Sequence, residues 1–273
     1  MTDQLEKARR FLALHRGEQP LLLPNPWDRG SAVLLASMGF HALATTSSGF
    51  AATLGRADGR VTRDEAVEHA AGIVQATDLP VTADLESGFA DEPAGVAETV
   101  GLATAAGLAG CSIEDFTGDP DDPIYDARLA AARVEAAAEA AHRGPVHLVL
   151  TARAENYLHD RPDLADTIAR LQAYQEAGAD VLYAPGLTDL DDIRRVVSSL
   201  DRPVNVLARP GGAGGGGAGR GRGRPDLGRW RVRLRRPRGG PGGGRRAARR
   251  WDLRLLGARC RRRQRRRHGV RGP

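Results

Sequence analysis

The chain has 273 residues, and its formal net charge of +6, from 40 basic and 34 acidic residues, conceals two unlike pieces. Residues 211–273 hold 22 Arg against two Asp and so carry +20, leaving −14 on the first 210, which means that the high overall isoelectric point excludes nothing about the partners of the folded part. The first 20 residues mix charges every few positions, which excludes a secretory signal or a membrane span there and makes the cytoplasm the expected location, and Cys111 and Cys260 give neither a disulfide framework nor a metal-ligand spacing.

The first 210 residues carry enough Ala, Leu and Val for one large domain, and 1–210 is read as a catalytic barrel domain. The first apolar run, LLLPN, ends at Asn25, and ALATTSSG follows at 42–49. A helical period covers 62–76, then PVTADLESG at 80–88 reads as a strand and 93–106 as a helix. The alternation continues with AGCSIED at 109–115, a helix over 126–142, VHLVLTARAE at 146–155 and a helix over 162–177 that Gly178 is suited to cap. DVLYAPG at 180–186 and PVNVLA at 203–208 complete seven strands. Repeated βα units at about 30 residues each, with an eighth needed to reach the roughly 250 of a closed barrel, predict a (β/α)8 TIM-type barrel that lacks its eighth βα unit. An open doubly wound sheet competes, but no Gly-rich phosphate loop follows the first strand.

Almost every predicted strand ends in polar residues: Ser47 and Ser48, Asp84 and Glu86, Glu114 and Asp115, Arg153 and Glu155, Asn205. In a parallel barrel these ends converge on one mouth, where the active sites of such barrels lie; the competing reading makes each a cap of the following helix. Strand parity turns Val81, Ala83 and Leu85 toward the helices and Thr82, Asp84 and Glu86 toward the barrel axis, and it likewise turns Ser112 and Glu114 inward and Cys111 and Ile113 outward. Cys111 is then a packing residue. Three inward carboxylates, Asp84, Glu86 and Glu114, repel one another unless protons or a cation compensate, and a hard divalent ion with oxygen ligands is the economical answer. Arg153 is placed to clamp a substrate carboxylate, or alternatively to pair with one of those acids.

The succession TTSSG, LGRADG, ADLESG, SIED, TARAE and VNVLA, over residues 25–208, resembles the isocitrate lyase/phosphoenolpyruvate mutase superfamily. The resemblance implies an enzyme that makes or breaks a C–C or P–C bond in a small 2-oxo carboxylic acid through an enolate, with Mg²⁺ or Mn²⁺ as cofactor and homo-oligomers among its relatives. It implies that Asp84 holds the metal and that Asp58, Glu86 and Glu114 reach its waters. Asp58, Glu114 and Arg153 become the catalytic residues, and Ser47, Ser48, Gly49, Arg153 and Asn205 the substrate-binding ones. The lyase branch carries a proton-donating Cys on a loop after the fourth strand, whereas here DFTGDPDDPIYD at 115–126 has no Cys, His or Lys, and Pro185 and Gly186 stand where some relatives place a binding acid or His. The superfamily is therefore assigned and a reaction within it is not.

After Pro210 the resemblance stops, and Gly makes up 18 of the last 63 residues, with almost no apolar periodicity. This segment is expected to be low-complexity and disordered. Its Arg, Gly, Pro and Ala are what GC-rich codons give when read out of phase, and Lys7 as the chain's one lysine points to a GC-rich gene, so a frameshift near 209–212 is expected. Two rival readings remain: an Arg-rich nucleic-acid-binding protein, prompted by GRGRGRP at 219–225 and RCRRRQRRRHG at 259–269, and a truncated barrel without activity. Trp230 and Trp251 are too few aromatics for a base-stacking platform, so nucleic acid is not the favoured partner.

Overall fold

The computed structural model describes residues 3–17 and 19–208, and the backbone of 230–234. In chain order its elements are α1 (Gln4–Leu14), β1 (Leu22–Pro24), α2 (Arg29–Ser37), β2 (Leu43–Ala44), α3 (Ser47–Thr53), α4 (Arg63–Gln75), β3 (Val81–Asp84) and α5 (Pro93–Ala105). There follow β4 (Gly110–Glu114), α6 (Ala127–His142), β5 (Val149–Arg153), α7 (Leu164–Glu176), β6 (Val181–Tyr183), α8 (Leu190–Ser198), β7 (Val204–Ala208) and β8 (Trp230–Leu234). All seven predicted strands are present, as are the four predicted helices, which here are α4 to α7.

Strands β2 to β7 pair in sequence order, each parallel to the next. The sheet curls so that β1 returns beside β2, where the Asn25 carboxamide donates to the Ala44 carbonyl at 2.8 Å in place of a backbone ladder. Between β7 and β1 lies β8, antiparallel to both. The described residues therefore contain no eighth parallel βα unit, as expected, but the eighth position in the sheet is filled. This strand lies outside the seven that the sequence predicts. Its WRVRL sequence alternates apolar and basic residues with period two, and two open strand edges of the barrel are templates for any such segment. The expected disorder of the rest of 211–273 lies outside the described residues.

Two apolar layers follow from the strand alternation. Val81, Ala83, Leu85, Cys111, Ile113, Leu150, Ala152 and Leu182 pack outward against Ile73, Val100, Val134 and Leu171 of the helices, as the parity argument requires. Burial pushes the Cys111 thiol up to about 12, so it is an inert packing residue, as expected. The second layer lies at the amino ends of the strands, where Ala8 and Phe11 of α1 pack on Leu23, Ala44, Ala109, Val149 and Val181. Helix α1 thereby seals that end of the barrel, and burying Phe11, which is 1% exposed, is worth about 2–3 kcal/mol.

The seal depends on a glycine at the start of β4. A Cβ on Gly110 would sit 2.8 Å from both the Phe11 ring and the Val149 carbonyl oxygen, and the second of these is backbone that cannot yield cheaply. Gly110→Ala is expected to lower stability by about 1–3 kcal/mol through overpacking, read as a drop in the urea unfolding midpoint. Ala109→Gly, one residue earlier in the same cluster, should leave the α1 seal closed.

Candidate active site

Strand register stacks the inward side chains in tiers. The lower tier runs Asp84, Ser112, Thr151, Val181 across β3 to β6, and the upper one runs Glu114, Arg153, Tyr183, Asn205 across β4 to β7. From β3 to β6 the lower tier descends from the last residue of its strand to the first, so that Val181 reaches the layer that α1 covers, whereas Glu114, Arg153 and Tyr183 close their strands at the opposite, carboxyl end. Closure of a parallel barrel turns these side chains into its interior, which here is polar at the carboxyl ends instead of apolar.

Arg153 is the centre of the upper tier. Its Nη1 donates to Asp84 Oδ1 at 2.9 Å, its Nη2 contacts Glu114 Oε2 at 3.0 Å, and its Nε donates to Glu155 Oε1 at 2.7 Å. The Tyr183 ring lies 5.3 Å from the guanidinium carbon, within cation–π range. Thus the sequence alternative of an ion pair is realised three times over, with all three guanidinium nitrogens engaged. Burial raises the carboxyls of Glu114 and Glu155 despite the attraction of Arg153, and it raises Glu86 to about 7, with Asp84 and Asp58 adding repulsion. Burial alone would lower the Arg153 pKa, but the three carboxylates outweigh it and hold the guanidinium charged. One cation thus faces Asp84, Glu86, Glu114 and Glu155, a deficit of positive charge that protons or a metal ion must fill.

The other predicted residues fall around this centre. Ser47 donates from both its backbone N–H and its hydroxyl to Asp84 Oδ2, at 3.3 and 3.4 Å, so the first turn of α3 touches the metal candidate. Ser48 bonds the Thr46 hydroxyl at 3.2 Å, and the Gly49 N–H is held weakly by the same Thr46 cap at 3.5 Å. A Cβ at Gly49 would lie 2.6 Å from both Trp27 and Thr46, so close packing alone already demands glycine there. Asp58 sits on an exposed loop and reaches the cluster through its field on Glu86. Glu86 has φ +50°, a left-handed conformation costly for a side-chain-bearing residue and typical of strained functional sites. Asn205 is 3% exposed, and its Oδ1 has no hydrogen-bond partner. A buried carboxamide oxygen left open is an acceptor in want of a donor or a cation.

Asp115 departs from the reading that every polar strand end joins the mouth. It faces the helices, accepting from the Tyr174 hydroxyl at 2.6 Å, the Glu155 N–H at 2.8 Å and Arg170 at 3.4 Å. Adjacent residues on a strand point to opposite faces, so an inward Glu114 requires an outward Asp115. Three contributors escaped sequence reading. Thr45 accepts the Asp84 N–H through its hydroxyl at 2.9 Å, and Tyr183 lines the upper tier. Arg133 of α6, 1% exposed, donates to the carbonyls of Ser87 and Ala90 and stacks over Tyr125 at 3.9 Å, fixing the loop that carries Glu86. Tyr183 could have been found from the period-two rule; Arg133 could not, because a helical Arg reads as exposed.

Several known proteins share much of this sequence and fold. The family model for phosphoenolpyruvate phosphomutase matches residues 11–215. A crystal structure from Burkholderia cenocepacia J2315, described as a lyase/mutase, is 52% identical with a TM-score of 0.74 and covers 79% of this chain and 76% of its own. An uncharacterized protein of Mycobacterium tuberculosis (strain ATCC 25618 / H37Rv) is 34% identical over 74% of each chain. The 2-methylisocitrate lyase of Escherichia coli (strain K12) is 30% identical over 71% of this chain and 67% of its own.

The turn bearing Ser47 to Gly49 is buttressed by a ring stack, Phe50 of α3 on His69 of α4 at 3.8 Å. Burial lowers the His69 pKa to about 4, against a smaller opposing pull from Asp28, and its Nε2 is buried without a partner. The folded state therefore holds the imidazole neutral. Its contribution is complete above the unfolded value near 6.5 and is lost as pH falls from there to about 4. After discounting for its solvent-facing side, about 1–2 kcal/mol of stability should go in that window. His69→Phe keeps the stack, sacrifices no Nε2 bond, and is expected to remove this part of the acid sensitivity in melting curves between pH 4 and 6.5.

Proposed function

Since the chain belongs to the phosphoenolpyruvate phosphomutase family, we propose that it is a metal-dependent enzyme of the lyase, mutase or hydrolase type, acting on a C–C or P–C bond of a small 2-oxo carboxylic acid. The observation that carries this reading is the Arg153 centre, in which a single buried cation is shared among three carboxylates with Glu86 close by. The fit to a hard divalent ion rests on the donor set: oxygen ligands, surplus negative charge, and the open Oδ1 of Asn205 nearby in the same tier. Asp84 would hold Mg²⁺ or Mn²⁺, with Asp58, Glu86 and Glu114 reaching its waters. Bound there, the ion supplies Lewis-acid stabilisation of negative charge developing on the 2-oxo group.

The chain's own residues supply binding and orientation. Arg153 presents a planar fork that suits two carboxylate oxygens, and an incoming substrate carboxylate replaces Glu114 or Glu155 in that fork without leaving the guanidinium unpaired. Ser48 and Gly49 offer a hydroxyl and a backbone N–H for a second anionic group, and Asn205 a carboxamide for the same site. The charge of Arg153 persists through this exchange, because even one remaining carboxylate favours the cationic form. Segment 115–126 contains no thiol, imidazole or ammonium group to act as a proton donor, which argues against the Cys-dependent isocitrate or methylisocitrate cleavage and leaves the reaction within the superfamily unassigned.

Asp84→Asn is expected to lower turnover by at least about 10²–10³-fold, the scale for losing one preorganised electrostatic contact, while the far-ultraviolet circular dichroism stays unchanged. Excess EDTA should abolish turnover and Mg²⁺ restore it. Screening oxaloacetate, substituted malates and phosphonopyruvate tests the substrate class; turnover of a neutral sugar or a nucleotide instead would overturn the proposal.

We also propose that the chain leaves its native reading frame near 209–212. The family match ends at residue 215, close to the change in composition, and β8 is antiparallel where barrel closure calls for a parallel strand. Resequencing the gene across codons 205–215 is expected to reveal a shifted phase that encodes an apolar strand and a Gly-containing turn. A verified frame with no such alternative would make the Arg-rich segment genuine.

A further inference from the structure

At the end of the barrel opposite the active-site mouth, three side chains from separate segments converge. They are His142, the last residue of α6, His147, which leads into β5, and Asp180, which precedes β6. His142 Nε2 lies 3.0 Å from Asp180 Oδ2, and His147 Nε2 lies 3.1 and 3.2 Å from the two carboxylate oxygens. We propose that this triad is a second metal site, selective for a borderline divalent ion such as Zn²⁺ and distinct from the oxygen-donor site at the mouth.

Three features support it. First, the donor chemistry differs from that of the mouth: two imidazoles and a carboxylate suit Zn²⁺, Co²⁺ or Ni²⁺, whereas an all-oxygen set suits Mg²⁺. Second, the spacing fits. Metal bonds of about 2.0–2.2 Å to imidazole and carboxylate atoms 3.0–3.2 Å apart subtend nitrogen–metal–oxygen angles of roughly 85–105°, within the range of open four- to six-coordinate sites. Third, the carboxylate is oriented in advance, because Asp180 Oδ2 also accepts the Leu150 N–H at 3.0 Å, a bond that aims it as outer-shell partners aim metal ligands. Burial alone would raise the Asp180 carboxyl, but the two imidazoles and this N–H hold it well below the ordinary range, so it is an anion at neutral pH.

Without metal, the two rings stack at 4.1 Å with planes 9° apart, each pointing Nε2 at the carboxylate. A metal needs both lone pairs to converge, so the rings must tilt out of that stack. Side-chain exposures of 29% for His142 and 41% for His147 leave room for the tilt and a route for the ion. On binding, each neutral imidazole offers the Nε2 lone pair to the metal and carries its proton on Nδ1, and the ion ties the α6–β5 connection to the start of β6. In barrels of this kind that end governs stability and not catalysis, so the ion acts as a structural clip and stabilises by mass action.

The test uses the full chain, stripped with EDTA, dialysed, and saturated with Mg²⁺ so that the oxygen site is filled. Zn²⁺ should then bind with one further equivalent per chain and raise the melting temperature, and Co²⁺ should give visible absorption from a nitrogen-ligated site. His147→Gln is expected to weaken Zn²⁺ binding at least about ten-fold, and His142→Ala/His147→Gln to lose that equivalent, whereas Asp84→Asn retains it. Far-ultraviolet circular dichroism establishes that each variant is folded, and His147→Gln, altering the most exposed of the three, serves where the double variant is not. No Zn²⁺ equivalent beyond the site that Asp84→Asn removes, or equal binding by wild type and His147→Gln, would overturn the proposal.

Discussion

A single guanidinium surrounded by buried carboxylates is the interaction on which the site depends. Removing Arg153 from such a cluster leaves several carboxylates uncompensated in a region that solvates them poorly, and that costs several kcal/mol, whereas removing one carboxylate from a surplus relieves repulsion among the rest. The arrangement around Arg153 is therefore intolerant of losing the cation and permissive toward a change among its acidic partners. The same logic explains why the surrounding scaffold is so heavily tied: Thr45 holds the backbone of Asp84, Arg133 holds the carbonyls of Ser87 and Ala90, and Asp115 anchors the backbone of Glu155 from the far side of the sheet. Each bond limits how far one carboxylate can relax away from the others.

Much of this was legible in the sequence because a parallel barrel converts a one-dimensional alternation into two faces. Once 80–88 and 109–115 are read as strands, Asp84 and Glu114 must share a face with Ser112, and Cys111 must lie on the other. The same rule already implied an outward Asp115 and an inward Tyr183. What alternation cannot supply is lateral register. That Glu114, Arg153, Tyr183 and Asn205 form one tier follows from the stagger between strands, which barrel closure fixes and no local pattern records. The left-handed backbone at Glu86 is hidden for a similar reason, since the conformation is imposed by the turn's surroundings on a residue type that does not advertise it.

Helix positions were harder to read than strand positions. Arg133, deep in the protein, satisfies its guanidinium with carbonyls from a loop more than 40 positions away, a partner that helical periodicity cannot name. Phe11 is the converse case, an apolar residue in a charged amino-terminal helix whose value is apparent only when five strands are seen to present their starts to it. The glycines divide along the same line. Gly178, with φ +104°, follows the last turn of α7 as its conformation predicts, whereas Gly49 and Gly110 are needed because other chain segments come too close for a Cβ.

The closing strand bears on how far the site can be complete. Asn205 belongs to β7, whose far edge is paired to β8 with Asn205 in register with Arg233. An antiparallel partner satisfies the backbone groups of β7 and hides its edge, so the strand can stay in the sheet without a parallel eighth strand. It does not bring a strand's carboxyl end to the mouth, because an antiparallel strand presents its amino end there. Six of the seven parallel strands, from β2 to β7, have parallel neighbours among themselves, and the tiers they build from Asp84 to Asn205 need no contribution from beyond β7. The candidate site from Asp84 to Asn205 is thus assembled by the segment that the family match covers, and an antiparallel β8 in the eighth position alters only the wall of the mouth between β7 and β1.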